Sequence, residues 1–355
     1  MSTSQAVAVV APEADTISVV VPVYNGGEPF RACLAALVAL SPPPLEIIVV
    51  ANGDTDGSGD LAASFGAKVI RVPTPSGPGL ARNLGAQMAR GAILLFVDAD
   101  VVVPRDIVAR VAQFFAQDPA LDAVMGSYDD VPGDQGFLSQ YRNLLHHYVH
   151  QQGEEHASTF WGACGAIRQE VFAASGGFSE RYRTPSVEDI ELGYRLKESG
   201  ARLALCKTLQ VKHLKRWTAG SILRTDLFQR AIPWTLLILS RGRLTNDLNL
   251  RRRERVSVGA AMVLAVGLLV GLWWPVAFLA ALMAAALLGV LNAPFYAFCF
   301  RKRGFRFMCG SLLWHWLYFL YSGLGFGLGT VWHVLGICGE SNWPGIRVPR
   351  PESGR

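Results

Sequence analysis

Residues 17–206 alternate short runs of Val and Ile with longer amphipathic stretches. Ile17–Val23, Leu45–Val50, Lys68–Val72 and Ile93–Val97 are apolar enough on both faces to read as buried strands. Glu28–Leu40 and Pro78–Arg90 between them read as helices, the second with proline at its first position. This alternation predicts a largely parallel α/β sheet with helices on both faces. Ligands in such sheets bind at the carboxyl ends of the strands. Beyond Cys206 the pattern changes. Residues 256–300 hold 45 consecutive positions without a charge, enough for two spans of ~20 residues that turn at Trp273-Trp274-Pro275. Phe307–Cys338 is a second uncharged stretch of 32 residues, a third span or a re-entrant segment. Between these parts, in Thr218–Leu250, Ile222, Leu223, Leu227, Phe228, Ile232, Trp234, Leu236 and Leu237 interleave with Arg224, Arg230, Arg241 and Arg243. That interleaving suits helices lying in a membrane interface; a helix packed on the α/β unit is the alternative. The expected organisation is a tail (1–16), an α/β unit (17–217), a basic amphipathic segment (218–255), a membrane region of two to three spans (256–338) and a second tail (339–355).

Composition sharpens this picture. Of 355 residues, 51% are hydrophobic and 17% charged, against about 25% charged in an ordinary soluble domain. Residues 1–200 carry 13 basic and 23 acidic side chains, whereas 201–255 carry 13 and 3. A compact basic block beside apolar sequence suits anionic headgroups, at about 1 kcal/mol per basic residue near the surface. No nucleic-acid motif accompanies it, so nucleic acid is not an expected partner. Arg251, Arg252, Arg253 and Arg255 precede the hairpin and Arg301, Lys302, Arg303 and Arg306 follow it, which puts both flanks and the α/β unit on the cytoplasmic side. A full third span would leave Arg347, Arg350 and Arg355 outside. The six cysteines are widely spaced without a C-x-x-C pair, so they indicate neither zinc nor a disulfide framework. Met1–Thr16 lacks a basic residue, and its apolar run is broken by Pro12, Glu13 and Asp15, unlike a secretory signal.

The sharpest chemical signal is Asp98-Ala99-Asp100, closing the Ile93–Val97 strand. Two carboxylates one residue apart can hold a hard cation, Mg²⁺ or Mn²⁺, together with a ribose hydroxyl, leaving positions open for substrate phosphates. The first two strands end in the polar turns Tyr24-Asn25-Gly26-Gly27 and Asn52-Gly53-Asp54-Thr55-Asp56-Gly57-Ser58, suited to a nucleoside, though also ordinary turn chemistry. Ser186-Val187-Glu188-Asp189 opens a helix, where acidic residues also serve as caps.

In series, VPVYNGG, EIIVVANGDTDGS, ARNLG, FVDAD, GACGAIRQEVF, GGF and SVEDIELGYRL resemble the family 2 glycosyltransferases of the GT-A fold, over about residues 17–217. The resemblance implies a Rossmann-like mixed sheet that binds nucleotide-diphospho-sugars, followed here by interfacial and membrane helices. It implies that Pro22, Tyr24, Asn25, Asn52 and Arg82 hold the nucleotide, that Asp98 faces the ribose and that Asp100 ligates the metal. Asn52 stands where many members have Asp, and Ala51 departs from another frequent Asp. Gly162, Cys164 and Gly165 would line the donor sugar and the acceptor approach. Asp189, with Glu188 beside it, matches the catalytic carboxylate. It would deprotonate an acceptor hydroxyl as that oxygen attacks, inverting the anomeric centre, a contribution of ~10²–10⁴-fold. No second carboxylate is placed as a nucleophile. His213-Leu214-Lys215-Arg216-Trp217 stands where processive members carry Q-x-x-R-W. Lys215, Arg216 and Trp217 are therefore expected at the diphosphate and acceptor, and His213 either completes the metal shell, contacts phosphate, or is simply a packed or surface histidine.

The expectation is thus an inverting transferase at the cytoplasmic membrane. It would take a nucleotide-sugar donor, UDP-linked as a first guess, and a lipid-linked or membrane-presented acceptor, with membrane lipids around it. A processive polysaccharide synthase is disfavoured by His213 and by too few apolar stretches for a pore. A non-catalytic scaffold or nucleotide-sugar sensor would be expected to lack Asp98, Asp100 or Asp189. A nucleotidyltransferase would want basic residues in the first loop, which Val23-Tyr24-Asn25-Gly26 lacks.

Overall fold

A computed structural model describes residues 16–242 and 244–336. Arg243, the greater part of the first tail, all of the second, and Cys338, Arg347, Arg350 and Arg355 lie outside the described residues. Eight strands form one sheet: Ile17–Val23 (β1), Glu46–Asn52 (β2), Lys68–Val72 (β3), Ile93–Val97 (β4), Val101–Val102 (β5), Ala123–Tyr128 (β6), Cys164–Arg168 (β7) and Leu203–His213 (β8). Their order is β3-β2-β1-β4-β7-β6-β8-β5. The four strands legible as Val/Ile runs are the parallel half, with β1 between β2 and β4. Beyond it, β6 and β8 also pair in parallel, and the antiparallel pairs are those of β7 with its two neighbours and of β5 with β8. Strand β7 runs antiparallel to both β4 and β6, pairing Phe96 with Gly165 and Val97 with Cys164.

Helices Gly27–Val38 (α1), Ser58–Ser64 (α2), Pro78–Met88 (α3), Ile107–Gln117 (α4), Phe137–Gln152 (α5), Gln169–Ala174 (α6) and Glu188–Glu198 (α7) surround this sheet. Under the end of β4, Phe96 packs against Phe160, Phe172 and Phe178 with ring centroids 5.2–6.2 Å apart. Burying each such ring is worth about 1.5–3 kcal/mol, which fixes the strand end from which Asp98 and Asp100 project.

A continuous helical run follows: Ala219–Arg224 (α8), a π-helical segment Thr225–Ala231, and Ile232–Arg241 (α9). Thr218 caps it reciprocally with Ser221. Only part of its apolar face is buried, with Leu223, Leu227, Trp234 and Leu236 partly exposed. Ile222, Ile232, Leu237 and Ile238 are buried inside the protein, because the run lies between α7 and the last helix; Phe228 is exposed. Then come Arg252–Val270 (α10), Ala277–Arg303 (α11) and the unbroken Phe305–Val334 (α12). The turn falls at Trp273-Trp274-Pro275 as expected. Among the described residues α11 alone is both long and apolar enough to cross a membrane, with mean hydropathy 2.0. Helix α12 shows no re-entrant break. It approaches the preceding run closely because Gly325 and Gly329 face Ala231 and Thr235, where a Cβ would stand 2.7 and 2.9 Å from the neighbouring side chain.

Candidate active site

The site lies at the carboxyl ends of β1, β2 and β4, and much of its sequence signature braces loops. Asn25, at φ +50°, accepts the Thr55 N–H at 2.8 Å and so ties the first turn to the second. Asn52 donates to the Gly77 carbonyl at 3.0 Å and accepts the Ser76 N–H at 3.1 Å, engaging both amide atoms with the lead-in to α3. Asp56 accepts the Gly27 N–H, and Gly26 N–H donates to Ser58 Oγ. Tyr24 is left outside this lattice, 58% exposed and open to a planar base, while Pro22 sits half-buried on β1.

Arg82 organises the centre. From α3 its guanidinium donates to Asp98 at 2.7 Å and to Glu188 at 3.1 Å, and it lies 5.2 Å over the Phe178 ring. Burial opposes its charge, but Asp98 and Glu188 outweigh burial and hold its pKa up. A Cβ on Gly162 would stand 2.9 Å from the Arg82 Cζ, so glycine is the residue that lets the guanidinium through.

Asp98 and Asp100 keep about a third of their side-chain surface exposed (30 and 32%). His213 Nε2 is 3.5 Å from Asp100 Oδ2, and its ring stacks on Tyr128 at 4.3 Å and 10°. Burial disfavours the Asp100 carboxylate, yet His213 and Lys215 hold its pKa below the ordinary value. Among the described residues no three His, Cys, Asp or Glu side chains gather into a closed metal shell. One carboxylate with one imidazole beside it nevertheless fits an ion of the Mg²⁺ or Mn²⁺ type. Such ions take one or two protein ligands and complete their octahedron with water and substrate phosphates.

Asp189 is half-buried at the start of α7. Its Oδ1 accepts the Ile190 N–H at 2.8 Å and its Oδ2 the Gly162 N–H at 3.3 Å. Burial and the neighbouring Glu188 charge push its pKa up to about 6, against partial opposition from Arg82. Glu188, expected beside it in the chemistry, faces inward instead. It accepts Arg82 on one oxygen and the Ser186 N–H, at 2.9 Å, on the other, and it is buried, whereas Asp189 is only half-buried. It positions Arg82.

Three further expectations need correction. Cys164 and Gly165 lie on β7 in the sheet core; the Cys164 thiol is pushed up to about 12 by burial, and a Cβ on Gly165 would meet the Trp161 carbonyl at 2.5 Å. Of that motif only Gly162 reaches the site. Trp217 is 9% exposed, packed with Ile222 and Tyr321 under the Lys215 ammonium at 4.3 Å, and so offers little floor to an acceptor. Arg216 is exposed.

A cavity of about 390 Å³ begins at Asp189 and Ser186 and runs between α5, the π-helical segment, α9, α10 and α12. Its deeper wall is apolar, with Leu145, Trp234, Ile238, Leu248, Val258 and Phe319. Sequence reading missed this space. Of its charged lining, Arg142 and Asp226 belong to no motif, and their bidentate pair joins residues 84 apart. Tyr321 completes that pair by donating to Asp226 at 2.7 Å.

A mixed sheet with paired carboxylates after β4 and an acidic helix start facing them defines a GT-A-like glycosyltransferase fold. Two solved structures share it. The mannosyltransferase PcManGT of Pyrobaculum calidifontis, solved with GDP-Man and Mn²⁺, superposes with TM-score 0.56 at 17% identity, covering 92% of this chain and 90% of that one. Residues 1–349 of S. aureus TarS give 0.51 at 15%, covering 90% and 92%. Residues 18–176 match the family model "Glycosyl transferase family 2", and the chain carries a domain of that family. Glycosyltransferase GlyG of Streptococcus pneumoniae is 31% identical over 119 residues, 32% of this chain and 39% of that protein. The probable glycosyltransferase YdaM of Bacillus subtilis is 28% identical over 204 residues, 53% and 48% respectively. The chain thus spans less than half the length of either relative.

Proposed function

We propose that this chain is a membrane-held, inverting glycosyltransferase that moves a sugar from a nucleotide diphosphate to a hydroxyl on a lipid-borne acceptor. The observation that carries the reading is the position of Asp189, between the Arg82–Asp98 centre and a cavity whose far wall is apolar and helical. Tyr24 stacks on the base, Asp98 holds the ribose, and Asp100 with His213 would hold Mg²⁺ or Mn²⁺, the latter being the ion in the PcManGT complex. That ion supplies charge neutralisation for the departing diphosphate. Asp189 accepts the proton of the acceptor hydroxyl as its oxygen bonds to the anomeric carbon. The bond from that carbon to the diphosphate oxygen breaks on the opposite face. A base with a pKa of about 6 is ionised at neutral pH yet closer to the task than an ordinary aspartate. Arg82, locked by Glu188, fixes the Asp98 edge.

The basic flanks of α10 and α11 orient the domain to the cytoplasmic side, with α11 as a span and α10 and α12 packed alongside it. A panel of UDP- and GDP-sugars in thermal-shift assays, with Mn²⁺, Mg²⁺ or EDTA, tests the donor half of the reading. A ligand at a hundred times its Kd stabilises by about 2.7 kcal/mol, so the donor stands out only in the presence of metal. Stabilisation by none of them, with either ion, would remove the nucleotide-sugar assignment.

A further inference from the structure

The cavity behind Asp189 has a charge pattern that the proposed reaction does not use. Three arginines line it. Arg142 is neutralised by Asp226, and Glu254, the other lining carboxylate besides Asp189, is bound to Arg253 at 2.9 Å. Arg255 donates to the Asn246 amide oxygen at 3.2 Å, near the α10 end of the space. Arg230 has no hydrogen bond or ion pair among the described residues, although it stands on the same wall as Asp189. The π-helical turns of Thr225–Ala231 carry it, four residues from Asp226, so the two share a face. π-Helical turns are rare in ordinary helices and recur at functional sites.

Arg230, itself exposed, lines the same cavity as Asp189, His146 and His150. Nearby, the His146 and His150 rings lie 4.0 Å apart, tilted by 34°, and are held neutral by burial, so they do not add to the positive charge. Toward the other end the lining turns apolar, and Leu244 and Phe326, both on the wall, are half exposed, so the space reaches the surface there. The volume of about 390 Å³ accepts part of one chain and not a whole bilayer lipid.

We infer that this cavity is the acceptor subsite and that Arg230 selects acceptors whose head carries a phosphate beside the accepting hydroxyl, with one apolar chain leaving past Leu244 and Phe326. The inference rests on the glycosyltransferase reading but adds the acceptor's charge and the residue that reads it. A guanidinium pairs a phosphate through two parallel N–H···O bonds, and a lysine does so only as a point charge. Arg230 acts here as a specificity residue; the proton still passes to Asp189.

The test uses the full chain in detergent and two photoreactive probes, dodecyl phosphate and dodecanol, each with a diazirine in the tail. Labelled peptides are mapped by mass spectrometry, and UDP and GDP binding with Mn²⁺ is measured on the same preparations. Dodecyl phosphate is expected to label residues 234–258 and 318–326, with competition by unlabelled dodecyl phosphate. Arg230→Ala should cut that labelling about tenfold and Arg230→Lys by less, with nucleotide binding unchanged in both. Equal labelling by dodecanol, or labelling indifferent to Arg230→Ala, would overturn the inference while leaving the donor half standing. Weakened nucleotide binding in Arg230→Ala would also overturn it, by assigning the guanidinium to the donor diphosphate. If wild-type protein binds neither nucleotide, it is the glycosyltransferase reading that fails, whatever the probes label.

Discussion

If Asp189 is the base proposed above, it and Glu188 together should set the acid limb of the pH–rate profile. With a pKa of about 6, Asp189 is almost fully ionised at pH 7.5 and only about one tenth ionised at pH 5. Since the carboxylate is the competent form, kcat/KM should fall about tenfold per unit below pH 6. Burial is the larger cause of the raised value and the Glu188 charge the next. Glu188→Gln removes the second cause and keeps the first, so the limb should move to lower pH without reaching the ordinary aspartate range. The substitution has a cost of its own. Glu188 accepts Arg82 on one oxygen and the Ser186 N–H on the other, and an amide NH₂ cannot accept. One of those donors is left unpaired, a loss of about 1–3 kcal/mol that should appear as a lower Tm. The assay is initial rate against pH from 4.5 to 8.5 at saturating Mn²⁺, for both proteins, with Tm recorded across the same range. A wild-type limb near pH 4, or a Glu188→Gln limb that stays in place or moves upward, would refute the assignment of Asp189 as a base tuned by its neighbour.

Asp189→Asn should retain nucleotide binding while transfer falls by ~10² or more, measured as Kd against kcat; loss of nucleotide binding would make Asp189 a binding residue. Asp100→Ala should abolish the Mn²⁺-dependent part of nucleotide binding without lowering the Tm of the ligand-free protein, read by calorimetry. Gly162→Ala puts a Cβ 2.9 Å from the Arg82 guanidinium and should cost about 1–3 kcal/mol together with most activity, seen as a Tm drop. Asp226→Asn leaves Arg142 without its buried counter-charge and should destabilise by about 3–5 kcal/mol, whereas Tyr321→Phe, which removes one donor to a carboxylate, should cost about 1.5–3 kcal/mol; thermal melts in one detergent rank the two.

Local rules made half of the sheet readable. Strands β1, β3 and β4 begin and end where their Val/Ile runs do. Strands β1 and β4 are covered on both faces, as near-continuous apolar runs require. Strand β3 is instead the sheet edge, with Lys68 and Arg71 exposed and its Val and Ile only half-buried, not the buried strand expected. Strand β7 escaped the parallel expectation: Cys164-Gly165-Ala166-Ile167-Arg168 is short and small-residue rich, and its direction is set by pairing with β4. The same long-range pairing removes Cys164 and Gly165 from the site. Asp98 and Asp100 stand out at a strand end, whereas Asp189 is singled out only through the family resemblance, since acidic residues at a helix start also serve as caps. Glu188 was misjudged because adjacent carboxylates look alike until Arg82, 106 residues away, claims one of them. The cavity was not legible at all. It is made by α5, the π-helical segment, α9, α10 and α12 meeting, and the glycines that let α12 approach, Gly325 and Gly329, read in sequence only as breaks in an apolar run.

The most direct test of transfer to a lipid by Asp189 is a phase-partition assay. Purified protein in nanodiscs of native lipid extract is given the radiolabelled nucleotide sugar that stabilises it with Mn²⁺, and the product is divided between organic and aqueous phases. Label should accumulate in the organic phase with wild-type protein and fall to background with Asp189→Asn, which still binds the nucleotide. Label confined to water-soluble product, or organic-phase label undiminished in Asp189→Asn, would contradict it.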